Sequence, residues 1–255
     1  MPLAVSLKHW TLRLLPDVLL QPIRKAHYAR KVLHATEEPE MGVIPHLLPF
    51  GGCAVDLGAN FGMYTRLFAQ IVGPDGQVHA VEPVPSTFEV LQSNVERLRL
   101  SNVTVHNFAV SDEEGTVTMT VPEYDRGGDN FYEARVVKDS DEAGSRTVRV
   151  PACTLDDLFG RLGQVDFVKC DVEGHELNVI RGATEILRIH RPAWMIEVSG
   201  DPGDPESTAA ELIERMRQFG YRMYHLDRGP RKSGTANYFF LRPEHVRWLK
   251  SVIRL

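Results

Sequence analysis

The sequence predicts an α/β fold in which helices cover both faces of a mostly parallel β-sheet. From Gly52 onward, apolar runs of strand length alternate with amphipathic runs of helix length, and turn residues separate them. The 255 residues suffice for one large domain and an appendage, and 43% hydrophobic content is ordinary for a folded protein. We therefore predict a helical extension and connector over residues 1–50 and an α/β domain over residues 51–255.

Charge and composition narrow the classes of function. The net charge of −5 gives no electrostatic support for nucleic-acid binding. The three cysteines are scattered, and two of them lie in apolar runs, which is typical of core residues in a reducing compartment. No apolar run reaches the roughly 18 residues of a membrane-spanning helix, and no secretory leader is recognisable. These features predict a cytoplasmic protein.

Residues 1–35 form a basic stretch with apolar residues at helical spacing, interrupted by Pro16 and Pro22. Such a stretch can bind an anionic membrane surface. It can equally pack as a helical lid on its own domain or on the sister subunit of a homodimer. Packing is the interpretation that this short and proline-broken stripe favours.

A glycine turn follows the first predicted strand. The run from Cys53 to Tyr64 indicates a short apolar strand, a tight turn at Gly58 and the first turn of a helix. Such a turn brings backbone N–H groups and a helix N-terminus to one point. Gly58 and Gly62 lack a Cβ atom, so a ligand could lie directly against the backbone there. Asp56 is the last polar group before the turn and is predicted to point at this ligand.

Glu82 ends the second apolar run, where a carboxylate can accept both hydroxyls of a ribose. The turn reads D-L-G-x-N-x-G and lacks the second glycine that a dinucleotide pyrophosphate requires. A carboxylate beside the turn would repel a pyrophosphate but can hold an ammonium group. The pattern therefore favours S-adenosylmethionine over NAD, and a turn without a ligand is the alternative. The predicted cofactor-binding residues are Asp56, Gly58, Asn60, Phe61, Gly62, Tyr64, Glu82, Pro83, Ala109, Asp112 and Asp171.

The third strand is predicted over residues 103–108. Ala109 and Asp112 follow it, and they are candidates for contacting the adenine or for an ordinary strand-end turn. Before this strand, Ser86 and Glu89 have the spacing of a capping box, which predicts that the second helix begins at Ser86.

A β-rich insertion is predicted after the third strand. Residues 114–121 and 145–151 alternate between apolar and polar side chains, as half-exposed strands do. The polar segment 123–145 between them either caps the substrate or is a solvated hairpin loop. Thr154 is then the predicted N-cap of the next helix.

The carboxyl end of the fourth strand concentrates charged residues. Strand alternation places Lys169 and Asp171 on one face, and Glu173 and His175 follow in the turn. Ligands of open parallel sheets bind beyond the carboxyl ends of the strands, so this turn should face the same crevice as the glycine turn. Glu197 marks the corresponding end of the fifth strand. A salt-bridged strand end without function is the alternative.

Four motifs resemble one known family. They are V-D-L-G-A-N-F-G, A-V-E-P, N-F-A-V-S-D and F-V-K-C-D-V-E-G-H-E, and together they resemble the FkbM-type S-adenosylmethionine-dependent methyltransferases. The resemblance runs from Val55 to Val198, and K-x-D-x-E-G-x-E is its specific part. It implies a class I methyltransferase (Rossmann-like) fold with seven strands, the last of them antiparallel. It also implies O-methylation of a sugar or natural-product hydroxyl, although the particular acceptor does not carry over.

The expected chemistry assigns roles to the charged turn. Methyl transfer is an in-line displacement that depends on alignment, and a hydroxyl acceptor benefits from a nearby base. We hypothesise that Glu173 or His175 takes or orients the hydroxyl proton, and that Asp171 positions the cofactor or the acceptor. Lys169 either lowers the pKa of a neighbouring group or pairs with Asp171. Asp171, Glu173 and Glu197 could also hold Mg²⁺, although the sequence carries no dedicated ligand signature.

The leading prediction is therefore methyl transfer from S-adenosylmethionine to a hydroxyl of a small molecule, above all a sugar or a glycosylated natural product. N- or carboxyl-methylation of a peptide or amine is an alternative, because the cofactor half of the site would be the same. An NAD-binding dehydrogenase is disfavoured by the glycine spacing. A cofactor-binding subunit without catalysis is disfavoured by the intact set of Asp56, Gly58, Glu82 and Asp171.

Overall fold

The computed structural model describes residues 26, 28–30, 32–33, 38–121, 135–137, 146–226 and 235–249. Most of the predicted N-terminal extension lies outside these residues, so its boundary at residue 50 stays a prediction. Two 3₁₀ turns, Pro39–Gly42 and Ile44–His46, lead into the first strand. No helix in the described part of the chain is long and apolar enough to cross a membrane.

Strands and helices alternate along most of the described chain. The strands are β1 (Cys53–Leu57), β2 (Gln77–Val81), β3 (Val103–His106), β4 (Ala109–Ser111), β5 (Gly115–Val121), β6 (Arg135–Val137), β7 (Arg146–Thr154), β8 (Phe167–Cys170), β9 (Ala193–Ser199), β10 (Arg222–Tyr224) and β11 (Thr235–Leu241). The helices are α1 (Met63–Val72), α2 (Pro85–Arg97), α3 (Leu155–Phe159), α4 (Glu176–Arg181), α5 (Thr208–Gln218) and α6 (Pro243–Leu249), with a π-helical turn at Ile186–His190.

The main sheet has seven strands in the order β10-β11-β9-β8-β1-β2-β3. Neighbouring strands from β9 to β3 are parallel, and β11 is antiparallel to both β9 and β10. All five residues of β1 are buried, as expected for a central strand with apolar layers on both faces. This confirms the predicted seven-stranded, mostly parallel sheet, and it puts the carboxyl ends of β1 and β8 side by side.

A second sheet of four strands, in the order β4-β7-β5-β6, confirms the predicted β-rich insertion. Of the polar segment 123–145, only β6 is described. The predicted third strand is too long, because β3 ends at His106 and the chain then enters the second sheet as β4. Asn107 makes this turn: its side-chain amide donates to the carbonyl oxygens of Glu82 at 2.8 Å and Pro83 at 3.0 Å.

One of the two predicted helix starts is wrong. Helix α2 begins at Pro85 rather than Ser86, and its N-cap is Val84, which has no capping side chain. Proline at the first helical position has its φ already set for a helix, so the capping box is not needed. The other start is confirmed, because the Thr154 hydroxyl accepts a hydrogen bond from the Asp157 backbone N–H at 3.0 Å.

Two histidines pair on the main sheet. Nδ1 of His79 lies 3.2 Å from Nε2 of His106, and both rings pack against Phe159. The second ring nitrogen of His79 is buried and has no hydrogen-bond partner among the described residues. Burial lowers the pKa of His79 from 6.5 to about 4, with a smaller contribution from His106, and burial also lowers the pKa of His106.

We expect this pair to make the protein sensitive to acid. Above pH 6.5 His79 is neutral in the folded and the unfolded chain, whereas between pH 6.5 and about 4 only the unfolded chain binds its proton. The free energy of unfolding should therefore fall as the pH decreases through that window. Denaturant titrations should show a smaller fall for His79→Gln and the wild-type fall for the exposed His46→Gln. An unchanged fall in His79→Gln would assign the acid sensitivity to other groups.

Candidate active site

The glycine turn after β1 packs against the end of β8. Gly58 has a φ of +72°, and a Cβ atom there would lie 1.8 Å from the backbone oxygen of Asp171. Gly62 has a φ of +93°, and a Cβ atom there would lie 2.9 Å from Leu91 Cδ1. Protein atoms therefore occupy the space beside these two glycines in which a ligand was expected to lie. Both positions require glycine for the left-handed backbone and for the close approach of another element.

Two buried oxygens at this turn lack a hydrogen-bond partner among the described residues. Asp56 is fully buried; its Oδ2 accepts from the Thr65 hydroxyl at 2.6 Å, and its Oδ1 has no partner. The side-chain oxygen of Asn60, a residue with a φ of +50°, has no partner either. Burial raises the pKa of Asp56, and the Lys169 ammonium opposes this shift. Unpaired buried acceptors are costly, so these oxygens fit a ligand that brings N–H or O–H donors.

Glu82 anchors the turn from the end of β2. Its Oε2 accepts from the Asn60 backbone N–H and its Oε1 from the Val84 backbone N–H, each at 3.0 Å. Burial raises the pKa of Glu82 to about 7, although these hydrogen bonds favour the charged form. Each carboxylate oxygen still has a lone pair for a hydroxyl. Glu82 thus holds the glycine turn in place and keeps the capacity predicted for a ribose diol.

A cavity of about 840 Å³ lies at the carboxyl ends of the strands. This volume is in the upper part of the roughly 300–1,000 Å³ range of small-molecule sites, so the cavity can hold a cofactor and a small acceptor. The predicted residues that border it are Asp56, Gly58, Asn60, Phe61, Tyr64, Glu82, Pro83, Ala109, Lys169, Asp171, Glu173, His175 and Glu197. Gly62 and Asp112 are not among the described residues that border it.

Asp112 is separated from the cavity by the packing of β4 on α4. Its Oδ1 accepts from the Ser111 hydroxyl at 3.0 Å, and its Cα would lie 3.2 Å from a Cβ atom at Gly182. The predicted contact of Asp112 with adenine therefore has no support in the structure. Ala109 borders the cavity together with Met119 of β5 and Val136 of β6. The second sheet thus supplies an apolar wall to the cavity that Glu82 also borders. Such a wall suits the adenine ring of the cofactor more than a polar acceptor.

Lys169 lies at the centre of a charged network beneath the cavity. It is 3% exposed, and its ammonium donates to Asp171 Oδ2 at 2.9 Å. Burial alone would lower the pKa of Lys169, but the carboxylates of Asp171 and Asp56 outweigh it and raise the pKa. The ammonium also lies 5.0 Å from the ring centroid of Tyr64, whose hydroxyl donates to Glu38. Lys169 therefore stays protonated, and its predicted pairing with Asp171 is observed.

Asp171, the partner of Lys169, belongs to a cluster of three carboxylates. One oxygen of each of Asp171, Glu173 and Glu197 lies within 4.8 Å of the others. Burial, followed by repulsion from Asp171 and Glu176, raises the pKa of Glu197 to about 7. The oxygens are of the type that Mg²⁺ binds, which keeps magnesium as the alternative that the sequence disfavours. They can equally accept hydrogen bonds from a hydroxylated ligand.

His175 borders the cavity and contacts Ser111, which is buried behind it and is not among the described residues that border the cavity. Nε2 of His175 lies 2.9 Å from the Ser111 hydroxyl oxygen. Burial lowers the pKa of His175, and Asp112 opposes the shift. His175 is therefore neutral near pH 7, which is the form that a proton acceptor needs.

Part of the N-terminal stretch lies against the glycine turn. The ring of Tyr28 stacks on Phe61 with centroids 3.6 Å apart, and the Arg66 guanidinium donates to the Val32 carbonyl oxygen at 2.8 Å. Arg30 and Val32 border the cavity. The described residues of this stretch thus pack on their own domain, as the lid interpretation predicts. Membrane contact and a homodimer are alternatives that the described residues do not test.

Several residues of the cavity wall were not predicted from the sequence. Glu38 and Asn237 lie near opposite ends of the sequence, and neither belongs to a recognisable local motif. Asn237 lies opposite Glu197 in the antiparallel register of β11 and β9, which the sequence does not specify. Phe108 stands inside the quoted N-F-A-V-S-D motif, so that motif could have identified it.

The fold and the site together define the class of protein. A seven-stranded sheet with a reversed strand β11, unpaired acceptors at Asp56 and Asn60, and Glu82 at the end of β2 fit S-adenosylmethionine. The protein is a class I S-adenosylmethionine-dependent methyltransferase. It belongs to the FkbM methyltransferase family: the family model described as "Methyltransferase FkbM domain" matches residues 56–223.

Individual relatives agree with this membership. Methyltransferase 1 of Beauveria bassiana (strain ARSEF 2860) is 30% identical over 174 residues, which cover 63% of this chain and 69% of the relative. The 31-O-demethyl-FK506 methyltransferase FkbM of Streptomyces tacrolimicus is 44% identical over 70 residues, 28% of this chain and 26% of the relative. The hexuronic acid methyltransferase AglP of Haloferax volcanii is 31% identical over 159 residues, 61% and 60% of the two chains.

Among solved structures, the FkbM methyltransferase of Methylobacillus flagellatus KT matches with a TM-score of 0.53 and 18% identity. The match covers 81% of this chain and 49% of that one. The similarity shows a shared fold. This chain spans about half the length of that protein.

Proposed function

We propose that the protein transfers the methyl group of S-adenosylmethionine to a hydroxyl of a small acceptor, either a sugar or a glycosylated natural product. The observation that carries the proposal is the cluster of three carboxylates on the cavity wall. Asp171, Glu173 and Glu197 offer hydrogen-bond acceptors at the expected acceptor position, while Glu82 and the apolar second sheet suit the nucleoside. Hydroxyl-rich molecules are donors to such a wall.

The names of two relatives support this class of acceptor. One acts on 31-O-demethyl-FK506, and the other on a hexuronic acid. Both names are compatible with oxygen methylation of a natural product or a sugar. N- or carboxyl-methylation of a peptide or amine would use the same cofactor contacts and is therefore an outcome of the test below.

The charged residues between Lys169 and His175 have different roles in the proposed reaction. When bound, the cofactor supplies an activated methyl group. Asp171, held by the Lys169 ammonium, orients the acceptor or the amino-acid end of the cofactor. Glu173 is exposed at the cavity border and would take the proton of the acceptor hydroxyl, whose oxygen would receive the methyl group while the sulfur–methyl bond breaks and S-adenosylhomocysteine leaves. His175 is the alternative base, since it is neutral and borders the same cavity.

The proposal predicts a specific loss in Glu173→Gln. Removal of a general base should lower kcat by about 100-fold or more. The affinity for S-adenosylhomocysteine should stay near the wild-type value, because Glu173 does not hold the cofactor. His175→Gln tests the alternative base, and Glu206→Gln removes an exposed carboxylate outside the cavity as a control.

The measurement is methyl transfer to a panel of neutral sugars, uronic acids, glycosylated macrocycles, amines and peptides, with the methylated atom located by NMR. A methyl ether as product supports the proposal, whereas an N-methyl or ester product, or no product, contradicts it. An equal loss of kcat and cofactor affinity in Glu173→Gln would exclude Glu173 as the base. A reaction that is insensitive to EDTA would remove the magnesium alternative.

A further inference from the structure

The turn between β8 and α4 has a costly backbone. Glu173 has a φ of +53° and Gly174 a φ of +92°, so two successive residues are in the left-handed region. A residue with a side chain seldom adopts this conformation, because Cβ approaches the following carbonyl oxygen. The glutamate that borders the cavity therefore needs neighbouring contacts to keep its place.

Glu176 makes those contacts from the first turn of α4. Its side chain is buried, with 4% of the residue exposed. Its Oε1 atom accepts from the Val172 backbone N–H at 3.2 Å and from the Gly174 backbone N–H at 3.0 Å. These two N–H groups flank Glu173 on either side. A single oxygen thus closes the turn around the residue between them.

The start of the turn is fixed separately. The Asp171 backbone N–H donates to the Leu57 carbonyl oxygen at 3.2 Å, and the Asp171 carbonyl oxygen lies against Gly58. With Asp171 held by β1 and residues 172 and 174 held by Glu176, the backbone of Glu173 has little freedom. Glu176 is not among the described residues that border the cavity, so it acts on this site through the turn.

We propose that Glu176 is a positioning residue that sets the direction of Glu173 toward the acceptor. For this role the side chain must be long enough for one oxygen to accept from two backbone N–H groups. Its negative charge is less important for the position of Glu173. The kinetic consequence rests on the proposed function, because it takes Glu173 as a group that acts on the acceptor.

Two variants separate reach from charge. Glu176→Gln keeps the length and one oxygen but loses the charge, and Glu176→Asp keeps the charge but is one methylene shorter. We expect Glu176→Gln to retain kcat within about threefold, and Glu176→Asp to lose about 100-fold, the order of loss that a 1 Å misplacement can cause. Both variants should bind S-adenosylhomocysteine with the wild-type Kd. Glu211→Gln and Glu211→Asp, which alter the exposed partner of Arg181 on α4, are the controls.

Amide hydrogen exchange reports the turn without any acceptor. The Val172 and Gly174 amides should exchange faster in Glu176→Asp than in the wild type, and at the wild-type rate in Glu176→Gln. Unchanged exchange in Glu176→Asp, equal impairment of both variants, or a parallel loss of kcat and cofactor affinity would each overturn the proposal. A wild-type protein that methylates no hydroxyl would contradict the proposed function alone, and the exchange rates would still decide whether Glu176 holds the turn.

Discussion

Gly58→Ala is expected to abolish the binding of S-adenosylhomocysteine and to destabilise the protein strongly. The added Cβ would lie 1.8 Å from the Asp171 backbone oxygen, and backbone atoms cannot move aside as the end of a side chain can. The carboxyl ends of β1 and β8 would have to separate, which would displace both Asp56 and Asp171. The left-handed φ of +72° adds roughly 1–2 kcal/mol to this clash. We expect a total loss above about 4 kcal/mol in the free energy of unfolding.

Gly51→Ala is the matched control for this substitution. Gly51 has a similar φ of +76°, but no described atom lies within 4 Å of a Cβ atom built there. Its cost should therefore be the backbone strain alone. Denaturant unfolding and calorimetric titration of both variants make the comparison. Wild-type cofactor affinity in Gly58→Ala, or equal destabilisation of the two variants, would show that the contact between β1 and β8 does not define the site.

Lys169→Met is expected to lower the free energy of unfolding by about 3–5 kcal/mol, the cost of breaking a buried ion pair. The Lys169 side chain is only 4% exposed and lies 2.9 Å from Asp171. Without the ammonium, the fully buried Asp56 loses the positive charge that opposes the effect of burial, and it must take a proton or stay uncompensated. Methionine fills a similar volume, so the loss would reflect the charge rather than a void.

The control for Lys169→Met is Arg217→Met, which removes an exposed cation from the pair with Glu214. Exposed pairs contribute little, so this variant should unfold like the wild type. Denaturant titration at pH 7 gives both values. The same small effect in Lys169→Met would mean that the charge network beneath the cavity is not a stabilising element.

The parts of the site that could be predicted depend on local patterns. Asp56, Gly58 and Glu82 each stand at the end of an apolar strand, and parallel strands bring those ends together. Lys169 lies on β8 and Asp171 directly follows the last residue of that strand, so their pairing follows from alternation carried one residue past the strand end. The cavity wall at Glu38 and Asn237 could not be predicted in this way, because it depends on how distant segments pack.

Two errors in the predicted element bounds have different causes. Pro85 begins α2 without the expected capping box, because its fixed φ makes a side-chain cap unnecessary. Asn107 ends β3 early by bonding to two carbonyl oxygens of the neighbouring connection. The first cause is local, whereas the second is a contact between segments that are distant in sequence.

Calorimetric titration with S-adenosylhomocysteine and, separately, with NADH decides whether the cavity binds this cofactor. We expect micromolar binding of S-adenosylhomocysteine, no binding of NADH, and loss of binding in Glu82→Ala. Glu89→Ala removes an exposed carboxylate of α2 and should bind like the wild type. Binding of NADH, or of neither compound, by a folded wild-type protein would contradict the assignment of the glycine turn and of Glu82 to this cofactor.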